Sequence, residues 1–196
     1  MRAFAIAAID REPDDAFFET IAELSSAGVD FLLLRDKTLP APRRWRAAER
    51  CRTLIRPPAV FLVHGWVDLA RAVEADGVHL PSDGPPVEAV REVAGGLIVG
   101  RSCHSVAECA RAADEGADYA LLGPLFPPRS KPGERLVSRE DLVEAAKLGV
   151  DIYALGGLSM ENLHVLSGSG VAGVAAVSLF LADRPLDPIM EAIRRL

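Results

Sequence analysis

The sequence alternates short apolar runs with stretches whose apolar residues recur at three- and four-residue spacing, and we count eight of each in 196 residues. Short runs rich in β-branched residues indicate strands, and the three-four spacing indicates amphipathic helices. The predicted strands are Phe4–Ile9, Phe31–Arg35, Ala59–His64, Gly77–Leu80, Leu97–Arg101, Tyr119–Pro124, Asp151–Leu155 and Gly173–Ser178. The predicted helices are 15–27, 42–54, 67–75, 86–94, 105–115, 139–148, 160–168 and 187–196.

A similar joint recurs where a helix ends and the next strand begins: AGVDF at 27–31, EADGV at 74–78 and EGADY at 115–119. Glycine suits the left-handed position that closes a helix. The repetition indicates βα units, and eight parallel units close most economically into a barrel. We therefore predict an α/β fold, a single (β/α)₈ TIM barrel over residues 1–196. The alternative is an open doubly wound sheet, which often has a Gly-rich turn after strand one, where this chain has DREP.

Composition narrows the class of ligand. The formal net charge is -6 and the basic residues are spread along the chain, which gives no electrostatic case for nucleic acid. Three cysteines without C-x-x-C spacing argue against a disulfide framework or a structural zinc site. The apolar run at the N-terminus is too short for a signal segment or a membrane span. We expect a cytoplasmic protein with a small-molecule ligand, with no nucleic acid or membrane partner, and a homo-oligomer remains open.

In such barrels the loops after the strands form the active face. Gly156 and Gly157 follow strand seven and precede a predicted helix, a place where backbone N–H groups attract phosphate. Ser178 ends strand eight beside them. Together they predict a site for a phosphate ester; the alternative is a tight turn next to a strand-terminal serine. Gly157→Val is expected to weaken phosphate-ester binding without unfolding the barrel.

Three cations face the same end of the barrel. Arg35 and Lys37 lie two residues apart at the end of strand two, and Lys131 lies in the long loop, 127–133, after strand six. They predict a site for a second anionic group, with solvated surface cations as the alternative. Ser102, after strand five, is a further candidate ligand contact.

Histidines end several strands, and histidine is the usual proton shuttle near neutral pH. We predict His104 as the catalytic residue and His79 as a second one that can instead orient the ligand. For both, the alternative is a hydrogen bond to the backbone at the barrel rim. No H-x-x-H or H-x-x-x-H spacing occurs, so no metal site is predicted.

At these residues the sequence resembles the thiamine phosphate synthase and thiazole tautomerase (TenI-like) family. The resemblance extends over essentially the whole chain, with about one segment for each barrel unit. The matching segments are LRDK at 34–37, ADGVHL at 75–80, GADY at 116–119, GPLFP at 123–127, SK at 130–131, ALGG at 154–157 and GVAAVS at 173–178. Another phosphate-binding barrel, such as an epimerase, is the alternative outside the family.

The synthase branch, as the resemblance implies, couples a hydroxymethylpyrimidine diphosphate to a thiazole phosphate with magnesium and expels pyrophosphate. By motif, the diphosphate would be held by Arg35, Lys37, Ser130 and Lys131, and the thiazole phosphate by Gly157 and Ser178. The chain departs from this branch at Leu33, where the family usually has glutamine. It also has HG at 64–65 and PSDG at 81–84 where the family has its magnesium carboxylates. We therefore predict no metal cofactor, and magnesium only for the synthase alternative.

The tautomerase branch is similar to this chain in LPS at 80–82 and GRSCHS at 100–105. It isomerises a carboxylated thiazole phosphate by a metal-free proton shift. Its catalytic histidine falls on Pro124 here, so His104 or His79 would have to replace it. We predict a tautomerase-like enzyme that binds thiazole phosphate. The alternatives are a thiamine phosphate synthase and a non-catalytic relative that binds thiazole phosphate or thiamine phosphate.

Overall fold

The computed structural model contains a closed barrel of eight parallel strands in chain order, in which β8 pairs with β1. This confirms the predicted (β/α)₈ TIM barrel. The structure describes residues 1–10, 12–127, 135–181 and 185–196. The strands are β1 (Arg2–Ile9), β2 (Phe31–Asp36), β3 (Val60–His64), β4 (Gly77–Leu80), β5 (Ile98–Cys103), β6 (Tyr119–Leu122), β7 (Asp151–Leu155) and β8 (Gly173–Ala176).

Helices surround the barrel and cover the outer faces of the strands. A shell of buried aliphatic residues fills the space between the two layers. In the described ranges, no helix has the length and apolar character needed to cross a membrane. The helices are α1 (Asp15–Ser26), α2 (Ala41–Leu54), α3 (Val67–Ala72), α4 (Val87–Ala94), α5 (Val106–Asp114), α6 (Arg139–Ala145), α7 (Ser178–Leu181) and α8 (Asp187–Arg195).

The aspartate of the recurring joint has a structural role. Asp30, Asp76 and Asp118 each precede an even-numbered strand, and each carboxylate accepts a backbone hydrogen bond from the strand before it. The donors are the N–H groups of Ala3 in β1, Phe61 in β3 and Val99 in β5, all at 2.7 Å. These aspartates therefore connect the two strands of three pairs near the amino ends of the strands.

The glycines of the joint agree with the prediction in two of the three cases. Gly28 and Gly116 have φ angles of 78° and 87°, the left-handed conformation that ends a helix. In the second joint Glu74, with a φ of 55°, takes this conformation instead of Gly77. Gly77 begins β4, where a Cβ would lie 2.4 Å from the Ile98 carbonyl oxygen, so this glycine allows close strand packing.

Aromatic rings fill the barrel interior near the amino ends of the strands. Phe4 and Phe31 stack with their centroids 5.2 Å apart, and Tyr119 and Tyr153 pack around them. The guanidinium of Arg2 covers this cluster from below, 5.3 Å from the centroid of the Tyr153 ring. The lower half of the barrel is therefore closed, and a ligand can enter only from the carboxyl ends of the strands.

Several predicted elements differ from the structure, among them strand six, which ends at Leu122 and not at Pro124. The predicted helix 160–168 is only a 3₁₀ helix, Leu163–Leu166, because the Asn162 side chain bonds the Ser159 N–H and the Gly157 carbonyl and so favours a local turn. The prediction that Ser178 ends strand eight is also wrong. The strand ends at Ala176, and Ser178 is the exposed first residue of α7.

Candidate active site

A cavity of about 450 Å³ opens at the carboxyl ends of the strands. Strands β2 to β8, or the loops that follow them, each contribute residues to its lining, and β1 contributes Ile6. This is where catalytic sites occur in TIM barrels. The described residues that line it are Ile6, Leu33, Arg35, Lys37, His64, His79, Pro81, Ser82, Asp83, Ser102, Cys103, His104, Leu121, Gly123, Pro124, Leu155, Gly156 and Val177.

Arg35 and Lys37 both line this cavity, as their spacing predicts. Asp36 between them is buried, and its carboxylate accepts the N–H groups of Thr38 and Leu39 and pairs with Arg44. These bonds hold Asp36 away from the cavity and fix the loop. Within the described ranges, neither Arg35 nor Lys37 forms an ion pair. Burial lowers the pKa of Arg35 below its usual value, yet arginine stays protonated at neutral pH. The cavity thus holds positive charge that an anionic ligand can neutralise.

Four consecutive strands place His64, His79, Gly100 and Tyr119 in register with one another. Residues paired in register project to the same side of a sheet, here the barrel interior. A Cβ at Gly100 would lie 1.9 Å from the Tyr119 ring. The glycine therefore leaves the space through which the tyrosine ring reaches His79, and the two rings stack 5.6 Å apart.

His79 is 1% exposed and has a hydrogen-bond partner at each ring nitrogen. Its Nδ1 lies 2.9 Å from the Tyr119 hydroxyl, and its Nε2 lies 2.8 Å from Ser102 Oγ. Burial, followed by the charges of His64, Arg35 and Arg101, holds its pKa well below 6.5, so the ring is neutral. The bonds at both nitrogens leave His79 no free nitrogen for proton transfer, and Ser102, its partner at Nε2, also lines the cavity.

His64 stands beside His79, with ring centroids 5.9 Å apart. Burial and then the positive charges of Arg35 and Lys37 lower its pKa from 6.5 to about 4. A neutral imidazole next to two cations is a poor acid near pH 7. An anion bound to those cations would remove part of this effect and raise the pKa of His64.

His104 lines the cavity, and its Nδ1 lies 2.8 Å from the Gly123 carbonyl oxygen. A carbonyl only accepts hydrogen bonds, so Nδ1 carries a proton and donates it to Gly123. The His104 backbone N–H donates to the Glu108 carboxylate, which fixes the loop. In the described part of the chain Nε2 has no partner. His104 thus makes the backbone bond expected of a rim histidine, and it also has one nitrogen available for proton transfer.

The predicted phosphate residues are positioned differently from one another. Gly156 lines the cavity, while Gly157 and Ser178 follow the lining residues Gly156 and Val177 along the chain. Gly156 and Gly157 have positive φ angles of 104° and 65°, and a Cβ on Gly157 would lie 2.6 Å from Phe126 Cβ. The glycines thus let the loops after β6 and β7 pack closely. Ser130 and Lys131 lie outside the described residues, and a shared anion position for Gly156, Gly157 and Ser178 stays a prediction.

The described cavity offers a magnesium ion a single carboxylate and no ready-made protein site. Asp83 is the only carboxylate among the described lining residues, and no group of three or more His, Cys, Asp or Glu side chains in the described ranges can hold a metal. Magnesium requires oxygen ligands in octahedral geometry, usually with one or two carboxylates. Arg35 and Lys37 instead supply fixed positive charge at this end of the barrel.

A family model described as thiamine monophosphate synthase (TMP-TENI) matches residues 4–180. The chain belongs to this family. This confirms the family predicted from the sequence motifs and the expectation of an enzyme. Both the match over 4–180 and the barrel described above extend over most of the chain.

The chain is also similar to individual proteins named as thiamine-phosphate synthases. The chain is 32% identical over 182 residues to the thiamine-phosphate synthase of Pyrococcus furiosus, covering 91% of this chain and 87% of that one. It is 34% identical over 185 residues to the thiamine-phosphate synthase of Enterococcus faecalis, covering 92% and 87%. A solved structure of a Pyrococcus furiosus thiamine phosphate pyrophosphorylase is similar with a TM-score of 0.86 at 28% identity, covering 99% of this chain and 94% of that one.

Sequence reasoning did not single out Tyr119 as a site residue. It begins β6, at the end of the strand far from the loops that form the active face. The signal was the glycine at position 100, because a glycine in mid-strand often marks a place where another group approaches closely.

Proposed function

We propose that this chain is a thiamine-phosphate synthase in which Arg35 and Lys37 bind the diphosphate of the pyrimidine substrate. The names of its relatives support this activity over the tautomerase that the sequence motifs first favoured. The observation that carries the proposal is the pair of cations at the cavity, separated by an aspartate that is bonded elsewhere.

The coupling reaction requires positive charge next to the leaving diphosphate, and Arg35 and Lys37 supply it. The C–O bond between the pyrimidine methylene and the diphosphate breaks, and pyrophosphate leaves with the bonding electrons. The thiazole nitrogen supplies the electron pair of the new C–N bond. Negative charge grows on the departing oxygen, and the cations Arg35 and Lys37 at the cavity stabilise it.

The test is synthesis of thiamine phosphate from the two purified substrates, with and without a chelator. We expect product in both conditions, and a rate roughly 10²-fold lower for Arg35→Ala because it removes a cation that stabilises the leaving group. Arg46→Ala, which removes an exposed cation of α2, is the matched control and should retain activity. Product formation abolished by the chelator and restored by magnesium would contradict the metal-free reading and point to Asp83 as a ligand.

A second candidate is the metal-independent thiazole tautomerase, and His104 Nε2, which has no partner among the described residues, favours it. An imidazole nitrogen that is not engaged by the protein can act as general base toward a bound ligand carbon. His104→Gln should then lower isomerisation of the carboxylated thiazole phosphate by roughly 10²-fold or more, with nearly unchanged affinity. Wild-type protein that binds thiazole phosphate and catalyses neither reaction would instead be the non-catalytic relative.

A further inference from the structure

The hydroxyl of Tyr119 lies deep in the barrel and is connected to the cavity through two other side chains. It lies 2.9 Å from His79 Nδ1, and His79 Nε2 lies 2.8 Å from Ser102 Oγ. Tyr119 is 2% exposed and His79 is 1% exposed, whereas Ser102 lines the cavity. The three groups form one hydrogen-bond chain from the aromatic cluster to the ligand space.

While His79 is neutral, the hydrogen bonds from Tyr119 through His79 to Ser102 can have only two donor–acceptor arrangements. If Nδ1 carries the proton and donates to the tyrosine oxygen, the Tyr119 O–H needs another acceptor. The described residues offer it none, because its only hydrogen bond is to His79. A buried donor without an acceptor retains its full desolvation cost. If Tyr119 donates to Nδ1 instead, Nε2 carries the proton and donates to Ser102 Oγ, and every buried donor is satisfied.

The charged form of His79 is excluded by its surroundings. Burial is the main cause that holds its pKa well below 6.5, and the nearby positive charges of Arg35 and Arg101 act in the same direction. Burial also holds the pKa of Tyr119 well above 10, so its hydroxyl stays protonated and can act as a hydrogen-bond donor.

We propose that Tyr119 is a positioning residue that holds His79 in the Nε2-protonated tautomer and so makes Ser102 a hydrogen-bond donor to the ligand. Ser102 Oγ accepts from His79, and its own hydrogen is left to point into the cavity. The ligand atom at this place must then be an acceptor, such as a phosphate or carboxylate oxygen or an unprotonated ring nitrogen. A ligand group that can only donate, such as a protonated ring nitrogen, would leave the Ser102 hydrogen without an acceptor.

The first test measures the tautomer directly and needs no ligand. In protein labelled with ¹⁵N in its histidine rings, the nitrogen shifts of His79 report which nitrogen carries the proton. We expect Nε2 protonation in the wild type and a mixture of tautomers in Tyr119→Phe. Tyr153→Phe is the matched control, since Tyr153 lies in the same aromatic cluster but its hydroxyl has no partner in the described residues.

The second test measures affinity for thiazole phosphate by titration calorimetry, and only this arm rests on the proposed function. We expect roughly tenfold weaker binding for both Ser102→Ala and Tyr119→Phe, the scale of one hydrogen bond. In the double variant the two losses should not add, because both remove the same donor. Tyr153→Phe should bind like the wild type.

The outcomes separate the two proposals. A protonated Nδ1 in the wild-type spectrum overturns the direction of the chain, even if Tyr119→Phe does not fold. An unchanged tautomer in folded Tyr119→Phe overturns the role of the tyrosine, as do fully additive losses of affinity. Wild-type protein with Nε2 protonation that fails to bind thiazole phosphate contradicts the proposed function and leaves the hydrogen-bond chain standing.

Discussion

Gly100→Ala tests whether the space beside Tyr119 is required by the fold. The added Cβ would lie 1.9 Å from Cζ of the tyrosine and 2.2 Å and 2.3 Å from its two Cε atoms. The ring cannot retreat easily, because it packs against Phe4, Phe31 and Tyr153. Either the ring moves and loses His79, or β5 and β6 separate.

The expected cost follows from these contacts. Overpacking a well-filled core costs about 1–3 kcal/mol, and leaving the buried His79 nitrogen or tyrosine hydroxyl unpaired costs about 1–3 kcal/mol more. The free energy of unfolding should therefore fall by about 2–6 kcal/mol. In a chain of this length each kcal/mol lowers Tm by about 2–4 °C, so a drop of roughly 4–24 °C is expected.

Urea unfolding followed by circular dichroism measures this cost, and the midpoint should fall while the m-value stays constant. Gly100→Ala combined with Tyr119→Leu is the matched control, because the smaller side chain returns space to the new methyl group. We expect the double variant to be more stable than Gly100→Ala. A single variant within about 0.5 kcal/mol of the wild type, the range of neutral surface changes, would refute the packing argument.

Three further outcomes are expected. The pKa of His64 falls from 6.5 to about 4 on folding, so the unfolded chain binds this proton more readily. Stability present above pH 6.5 is lost as the pH falls to about 4, by about 3 kcal/mol at 1.36 kcal/mol per pKa unit. Comparing urea unfolding of wild type and His64→Asn between pH 7 and 4 isolates this loss, and parallel curves would contradict it. Ser178→Ala should weaken thiazole phosphate binding by roughly tenfold without changing Tm, whereas Gly157→Val would also collide with Phe126 and is the less clean variant. Asp76→Ala should lower the free energy of unfolding by about 1–3 kcal/mol, since it leaves the Phe61 N–H without its acceptor.

The sequence predicted the barrel well because each βα unit carries its own signal. Apolar runs and helical spacing repeat eight times, and parallel strands of this kind have few ways to close. The same logic brought Arg35, Lys37 and His104 to one cavity, since the carboxyl ends of all strands meet there. Strand alternation also accounts for Asp36, which points away from its two neighbours.

The details that failed depend on contacts between units. The helix predicted at 160–168 is replaced by a turn that the Asn162 amide stabilises, a local bond that periodicity does not reveal. Ser178 lies two residues beyond Ala176, where the ladder with β7 and β1 stops, and strand ends are set by such pairing. The link between Tyr119 and His79 crosses β5, so it depends on a register that no single segment encodes.

The aspartates of the joint connect some neighbouring strands of the barrel and not others. Asp30, Asp76 and Asp118 fasten β1 to β2, β3 to β4 and β5 to β6, but β8 is entered through VA at 171–172, which has no carboxylate to fasten it to β7. We therefore expect local opening to begin at the β7–β8 seam, with faster amide hydrogen exchange there than in the three fastened pairs. A ligand held by the loops after β7 and β8 would bridge this seam and slow its exchange.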